Sequence, residues 1–317
     1  MMKIESHFKM ERRTFIRNTA LFTGGTLIAP SLFAAVGNPL EVVDSEKGFN
    51  SLTILHTNDT HSNIDPFPDN HAKYAGKGGV ARRYELIKQV RQQEDNVLLI
   101  DAGDIFQGTP YFNMYGGVLE MKLMSELGYE AATMGNHDFD AGLEGFVAAQ
   151  EHANFPFLCA NYDFSNTPID GLTSERLTLQ KGAIKVGLFG IGIELDGLVP
   201  DLKYGETKFL DPIEKANEQA QKLKEEGCDL VICISHLGYS YDDDRVSDIQ
   251  LAKKTKNIHL IIGGHTHTFL EKPVEEVNLD GEIVLINQVG WGGINVGRID
   301  FQFDVKKFAK KDVLVVQ

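Results

Sequence analysis

The sequence predicts an α/β fold with parallel strands, and three observations predict it. Apolar runs of β character alternate with amphipathic helical patterns up to about residue 263, after which strands dominate, the order expected of an α/β sheet with an added antiparallel portion. Four of the runs, Leu52–Leu55, Val97–Ile100, Leu230–Ile234 and Leu260–Ile262, are apolar and β-like. Each of them, and the run Glu130–Met134 as well, leads into a loop bearing Asp, Asn or His. In open α/β sheets, ligands bind beyond the carboxyl ends of the strands.

The elements follow in order. Leu52–His56 reads as the first strand. Ser62–Gly79 is a long loop of Pro, Asp, Gly and Asn, a length that often borders an active site. Gly79–Gln93 is amphipathic, with Val80, Leu86, Ile87 and Val90 apolar, and reads as a helix before strand Asn96–Ile100. Helix Tyr115–Leu127 is ended by Gly128. Strand Glu130–Met134, helix Leu143–Ala153 and strand Phe157–Ala160 come next, then strands Arg176–Gln180 and Lys185–Ile191 paired across Lys181-Gly182. Asp211–Glu226 carries the signals of a capped helix: Asp211 as N-cap, Pro212 in the first turn, Gly227 past the end. Strand Asp229–Ser235, helix Arg245–Lys254 and strand His259–Gly263 complete the alternation. The tail adds strands Glu282–Gln288, Val296–Phe303 and Val313–Val316.

The chain of 317 residues has a net charge of −14, and 42% of it is hydrophobic. Residues 1–37 are basic on balance, with Lys3, Lys9, Arg12, Arg13 and Arg17 against Glu5 and Glu11, so the remainder is more acidic still. Such a surface excludes non-specific nucleic-acid binding, and it repels phosphate esters unless a local cationic centre reverses the field. Residues 1–37 read as a targeting segment: Arg12-Arg13-Thr14-Phe15-Ile16-Arg17 resembles a twin-arginine export motif, and Ala35-Val36-Gly37 offers a cleavage site. The stretch Thr19–Val36 contains Gly24, Gly25 and Pro30 and is too short and interrupted for a membrane span, so no stable span is expected unless the leader stays uncleaved. An exported, periplasmic location follows. Residues 38–50 are a polar linker, and 51–317 the main domain. Cys228 and Cys233 are five residues apart on one strand, about 16 Å at ~3.3 Å per residue, beyond disulfide reach. With Cys159 they read as buried free thiols.

Five strand-end blocks carry the chemistry: Asn58-Asp59-Thr60-His61, Asp101-Ala102-Gly103-Asp104, Gly135-Asn136-His137-Asp138, Ser235-His236-Leu237-Gly238 and Gly263-Gly264-His265-Thr266-His267. Asn oxygen and His nitrogen can both ligate cations, and Asp140, three residues after His137, can fix its tautomer. Together, in this order, the blocks resemble the calcineurin-like metallophosphoesterases, within them the 5′-nucleotidase branch. The pattern is D-x-H, G-D, G-N-H-[DE], a lone H, and G-H-x-H, over Leu52–His267.

That resemblance implies a four-layer α/β/β/α sandwich of two mixed sheets flanked by helices. It implies two divalent metal ions, of Mn, Zn, Fe or Co type: one held by Asp59, His61, Asp104 and His267, the other by Asp104, Asn136, His236 and His265, with Asp104 bridging. Seven N/O ligands exceed one tetrahedral site. Asp59 and His61, two apart on an extended chain end, would project the same way, as would His265 and His267, and Gly263-Gly264 would let the backbone approach the metals. A pair of ions would lower the pKa of bound water to about 7 and provide a hydroxide that attacks phosphorus. His137, oriented by Asp140, would contact the phosphoryl oxygens and protonate the leaving group. Asp101 is read as structural and His71 as a loop residue. The expected activity is exported hydrolysis of nucleotides, 5′-nucleotidase-like, or of related small phosphate esters. The family's C-terminal nucleotide-binding domain has no matching positions here, so specificity falls to the Ser62–Gly79 loop, the Ile105–Tyr115 loop or a separate protein supplying that domain. Phe106, Tyr111 and Phe112 read as packing, with base stacking as the alternative. The rival readings are a sulfur-ester (thiosulfohydrolase-like) hydrolase and a non-catalytic subunit awaiting a partner.

Overall fold

The structure, a computed structural model, describes residues 49–304 and 308–309. Two mixed sheets dominate it. In the first, β1 (Phe49–Thr57), β2 (Val97–Asp101) and β3 (Ala131–Ala132) run parallel, while β12 (Gly297–Asp304) joins β1 antiparallel and carries β13 (Phe308–Ala309) at the edge. In the second, β6 (Ile184–Ile191), β8 (Leu230–Ser235), β9 (Leu260–Ile262) and β11 (Ile283–Asn287) run parallel. Its edges are closed by antiparallel β5 (Arg176–Lys181) and β10 (Val274–Val277). A two-strand ribbon pairs β4 (Tyr162–Asp163) with β7 (Lys208–Phe209).

Side-chain alternation along the strands sorts the core into layers. Leu52, Ile54, Leu98 and Ile100 of the first sheet meet Val186, Leu188, Ile232, Ile234 and Ile262 of the second in one fully buried cluster. The opposite face of the first sheet, with Leu55, Val97 and Leu99, packs on helices α1 (Val80–Gln93), α3 (Val118–Leu127) and α4 (Gly142–Gln150) through Ile87, Met121 and Phe146. The outer face of the second sheet, with Phe189, Val231, Cys233 and Ile261, packs on α6 (Pro212–Glu225) and α7 (Asp248–Lys254) through Ala216, Leu223 and Leu251. The result is helix, sheet, sheet, helix, the four-layer sandwich expected. Two short helices, α2 (Pro110–Tyr115) and α5 (Asp201–Tyr204), lie on connections.

Local chemistry explains most boundaries. The Asp211 carboxylate accepts from the N–H groups of Ile213 and Glu214 at 2.8 Å and caps α6, with Pro212 in its first turn. Gly128 ends α3 at φ 75°. The pattern over Tyr115–Leu127, read as one helix, is broken by Gly116 and Gly117, both at positive φ, so α2 and α3 are separate. Helix α7 begins at Asp248 rather than Arg245, because the Ser247 side chain caps it. The apolar run Phe157–Ala160 makes only single bridges, Ala132 to Phe157 and Leu158 to Ser174. Strand β10 escapes the sequence reading because Glu275 and Glu276 interrupt its pattern. The expected strand Val313–Val316, the leader and most of the linker lie outside the described residues. The three cysteines are free thiols; Cys159 and Cys233 are buried, whereas Cys228 is only half-buried.

Candidate metal centre

The carboxyl ends of β1, β2, β3, β8 and β9 converge, and the loops that follow them bring all seven expected ligands to one place. Asp59, His61, Asp104 and His267 form one group of donor atoms and Asp104, His236 and His265 a second; within each group the atoms lie within 4.8 Å of one another. Asp104 belongs to both. In the first group the Nε2 atoms of His61 and His267 are 3.0 Å apart, and His267 Nε2 is 3.3 Å from Asp59 Oδ1. In the second, His236 Nε2 lies 3.2 Å from Asp104 Oδ2, and Asn136 joins with its Oδ1 2.8 Å from His265 Nδ1.

The backbone chooses which imidazole nitrogen faces inward. His61 Nδ1 is 3.2 Å from the Phe106 carbonyl and His236 Nδ1 2.6 Å from the Ala102 carbonyl. A carbonyl only accepts, so each Nδ1 carries the proton and each Nε2 turns its lone pair to the centre. Burial pushes His61 down and carries His265 down to about 4, which keeps both rings neutral. Burial would also raise Asp104 and lower His236, but with no cation between them their mutual attraction reverses both: Asp104 is held well below the usual carboxylate range and His236 is lifted to about 10, and the proton that Nε2 then holds is the one a metal ion would displace to use its lone pair.

These donors fit a divalent metal site. Asp59 and Asp104 are 0% and 1% exposed, and among the described residues no Lys or Arg pairs with either within 4 Å. His236 Nε2 is buried with no hydrogen-bond partner. Lone pairs aimed at one another and at buried carboxylates repel unless cations stand among them.

The loops reach this arrangement through left-handed backbone rather than extended chain. Asp59 (φ 49°), His61 (46°), Asp104 (54°), His265 (73°) and His267 (52°) all lie at positive φ. The expectation that Asp59 and His61 share a face on an extended strand end is therefore corrected. They share a side because both are turned back, a conformation that costs non-glycine residues of order 1 kcal/mol or more and clusters at functional sites. Gly264 has no room for a side chain: a Cβ would stand 2.8 Å from both the Ala102 carbonyl and His236 Nδ1.

His137 leans over the centre. Its N–H donates to Asp104 Oδ1 at 2.8 Å, its Nδ1 is 2.8 Å from Asp140 Oδ2, and its ring meets that of His61 edge-on at 5.3 Å. Its side chain is 37% exposed. The hydrogen bond to Asp140 raises its pKa, against partial burial.

Several supporting residues were given no role by sequence reasoning. Asp138 is fully buried; Oδ2 accepts from the N–H groups of Gly135 and Asp104, and Oδ1 from Ile105 and Phe106, at 2.8–3.1 Å. It ties the loop after β2 to the loop after β3. The Asn58 amide donates to Asp59 Oδ2 at 2.6 Å. Gln288 donates to the Gly264 carbonyl and accepts from Thr268, fastening the turn that bears His265 and His267. Trp291 stacks on His267 at 5.8 Å, 15° from parallel. Asn58 and Asp138 were visible as members of their motifs; Gln288 and Trp291 lie outside any motif spacing. Asp101 is buried, accepts from Thr57 and the Gly103 N–H, and is structural as expected. Phe106 is fully buried against Phe112 and Phe146, Tyr111 donates to Asp65 at 2.6 Å, and His71 Nδ1 accepts from the Tyr74 N–H at 3.0 Å. Stacking of a base on Phe106 is thereby excluded.

Comparison with known proteins agrees with this geometry. A profile of the family described as calcineurin-like phosphoesterase matches residues 52–269. Among curated relatives, the snake venom 5′-nucleotidase of Gloydius brevicauda is 38% identical over 226 residues, 69% of this chain and 37% of that protein. The trifunctional nucleotide phosphoesterase YfkN of Bacillus subtilis is 33% identical over 298 residues, 84% of this chain and 19% of that one. Both relatives are much longer than this chain. The solved structure of a 5′-nucleotidase precursor from Thermus thermophilus superposes with a TM-score of 0.74 at 31% identity, covering 84% of this chain and 55% of that one. The chain belongs to the calcineurin-like phosphoesterase family.

Proposed function

We propose that this chain is an exported phosphoesterase with a two-metal centre that hydrolyses nucleotides or related phosphate esters. The observation that carries the reading is the pair of donor groups sharing Asp104. Asp59, His61, Asp104 and His267 would hold one divalent ion, and Asp104, Asn136, His236 and His265 the other, with Asp104 as bridge. Both sets are oxygen and nitrogen donors, which suit Mn, Zn, Fe or Co. When bound, two such ions supply positive charge for the phosphoryl oxygens and a water-derived nucleophile at neutral pH.

The chain's own residues do the rest. His137, whose pKa the hydrogen bond to Asp140 raises, would be the acid of the site. Its ring stands beside the shared carboxylate and open to solvent, where it donates to a phosphoryl oxygen as charge develops and then to the departing oxygen. Asp138, Asn58 and Gln288 hold the ligand loops in place before substrate arrives. The arginine pair of residues 12–13 supports export, and among the described residues no helix is long and apolar enough to cross a membrane. The curated nucleotidases above support a nucleotide substrate. Base recognition would come from the Ser62–Gly79 and Ile105–Tyr115 loops or from a separate protein.

The test is hydrolysis of AMP, a UDP-sugar, a 2′,3′-cyclic nucleotide, a generic aryl phosphate and a thiosulfonate by the purified chain with Mn, Zn or Co, and with chelator as control. Chelator-sensitive release of phosphate from AMP is expected. Turnover of the aryl ester alone would place base recognition in a partner. Turnover of the thiosulfonate alone, or silence with metal bound, would overturn the proposal.

A further inference from the structure

A recess of about 430 Å³ lies between the end of the Ser62–Gly79 loop, the start of α1 and the segment Gly293–Val296. Its charged lining is wholly cationic, Lys77, Arg82 and Arg83, with Asn295 as a further polar side chain. None of the three forms an ion pair within 4 Å among the described residues, although the chain as a whole carries a net charge of −14. The remaining walls are glycine backbone, at Gly78, Gly79 and Gly293, and apolar side chains such as Leu86 and Val296.

The recess faces the amino end of α1, a helix of 14 residues. Gly79 caps that helix with no side-chain hydrogen bond, and its first turn contains no acid. It contains Arg82 and Arg83 instead. Two cations at the positive end of a helix dipole repel it, and N–H groups there bind anions, although that of Val80 already donates to the Ile64 carbonyl at 2.8 Å. Arg83 adds an independent sign. It is 8% exposed, and its Nε has no hydrogen-bond partner. Its guanidinium contacts the Tyr129 hydroxyl on one side, and Glu120, across a void of about 20 Å³, is not within ion-pair distance. On the other side Nη1 lies 3.0 Å from the point where a Cβ on Gly293 would stand. The missing side chain at Gly293 is what leaves the guanidinium open to the recess. Asp101 and Glu120 lie near Arg83 without forming a direct ion pair within 4 Å among the described residues, so the guanidinium keeps donors that an anion seated in the recess would satisfy.

We infer that this recess is a second anion site, distinct from the metal centre, which takes a phosphate-class oxyanion, as inorganic phosphate or a phosphate monoester. Planar guanidinium groups and backbone N–H groups suit tetrahedral oxyanions. The apolar wall leaves room for a small organic substituent. The site is not insulated from the centre: the Gly292 N–H donates to the Asp59 carbonyl at 2.7 Å, so an occupant touches the turn that holds a ligand loop.

Titration calorimetry of the metal-loaded full chain with inorganic phosphate tests this, repeated in chelator and with a Lys77→Glu/Arg82→Glu variant. Both residues are exposed, and an acid in the first turn favours the helix, so folding is not at risk; the single Lys77→Glu variant serves as a second check. The expected result is two binding events in the wild type, of which chelator removes one. The variant should keep the chelator-sensitive event and bind at the other about tenfold or more weakly. A single event that vanishes in chelator and ignores the charge reversal would overturn the inference. So would loss of both events in the variant, which would make these cations part of the metal centre's own anion site.

Discussion

Replacing Asp138 by Ala tests whether this buried carboxyl, which touches no substrate, builds the metal centre. Its two oxygens accept four backbone N–H groups, from Gly135 and Asp104 at 2.8 and 2.9 Å and from Ile105 and Phe106 at 2.9 and 3.1 Å. Alanine leaves all four donors buried and unpaired, at about 1–3 kcal/mol each. Removing a buried acid recovers some desolvation, and water can enter the gap, so the low end of that range applies: about 4 kcal/mol. That is a large share of the roughly 5–15 kcal/mol typical of a folded domain. Asp138→Asn, which keeps one oxygen and two of the bonds, should fall between the wild type and Ala. Urea unfolding in the presence of chelator measures the loss without metal as a confounder, and Mn binding measured separately should weaken at least tenfold, because Asp104 and Asn136 ride on the two loops that Asp138 joins. A stability loss below about 1 kcal/mol together with unchanged metal affinity would refute the reasoning.

The other predictions concern single residues. His137→Ala should lower turnover by about 10²–10⁴-fold and leave metal content intact by elemental analysis; loss of metal would show that the ring has a ligand's role instead. Asp140→Asn should lower kcat less than His137→Ala, since it removes the partner that orients the ring and not the acid, and an effect as large as that of His137→Ala would contradict this ordering. Asp248 is fully buried, accepts from Ser235, has an unpaired Oδ2, and is pushed by burial up to about 8. Its folded-state value lies above the ordinary carboxylate value, so the folded chain holds the proton longer and this group's contribution is lost as pH rises from about 4 towards 8. In chelator, Asp248→Asn should therefore lose less stability than the wild type between pH 5.5 and pH 8 in urea unfolding, and equal losses would show that Asp248 is ionised in the fold.

The layers and the residues that converge at the candidate centre were legible in the sequence for one shared reason. Strands buried on both faces are short and almost wholly apolar, as Val97–Asp101 is up to Ile100 and Leu230–Ser235 up to Ile234, and the polar residues at and beyond their carboxyl ends stand out against that background. The helix start at Asp211 and the helix end at Gly128 were legible because the capping chemistry is local. What escaped depends on contacts distant in sequence. Gln288 and Trp291 fasten and cover His267 from a turn beyond β11, and no spacing rule links them. The left-handed backbone at Asp59, His61, Asp104, His265 and His267 is imposed by convergence of the loops, whereas the side chains themselves would favour extended chain. The division between α2 and α3 turned on Gly116 and Gly117, which the apolar period overrode in reading. The recess at Lys77, Arg82 and Arg83 was invisible because its far wall, Gly293, is 210 residues away from Arg83.

The shared carboxylate of Asp104 is the claim on which the rest stands. Diffraction from crystals of the Mn-loaded chain, with anomalous differences collected at the manganese edge, tests it directly. The account predicts two anomalous peaks about 3.5–4 Å apart, one beside Asp59, His61 and His267, the other beside Asn136, His236 and His265, with Asp104 touching both. A single peak, or two peaks of which only one contacts Asp104, would contradict it.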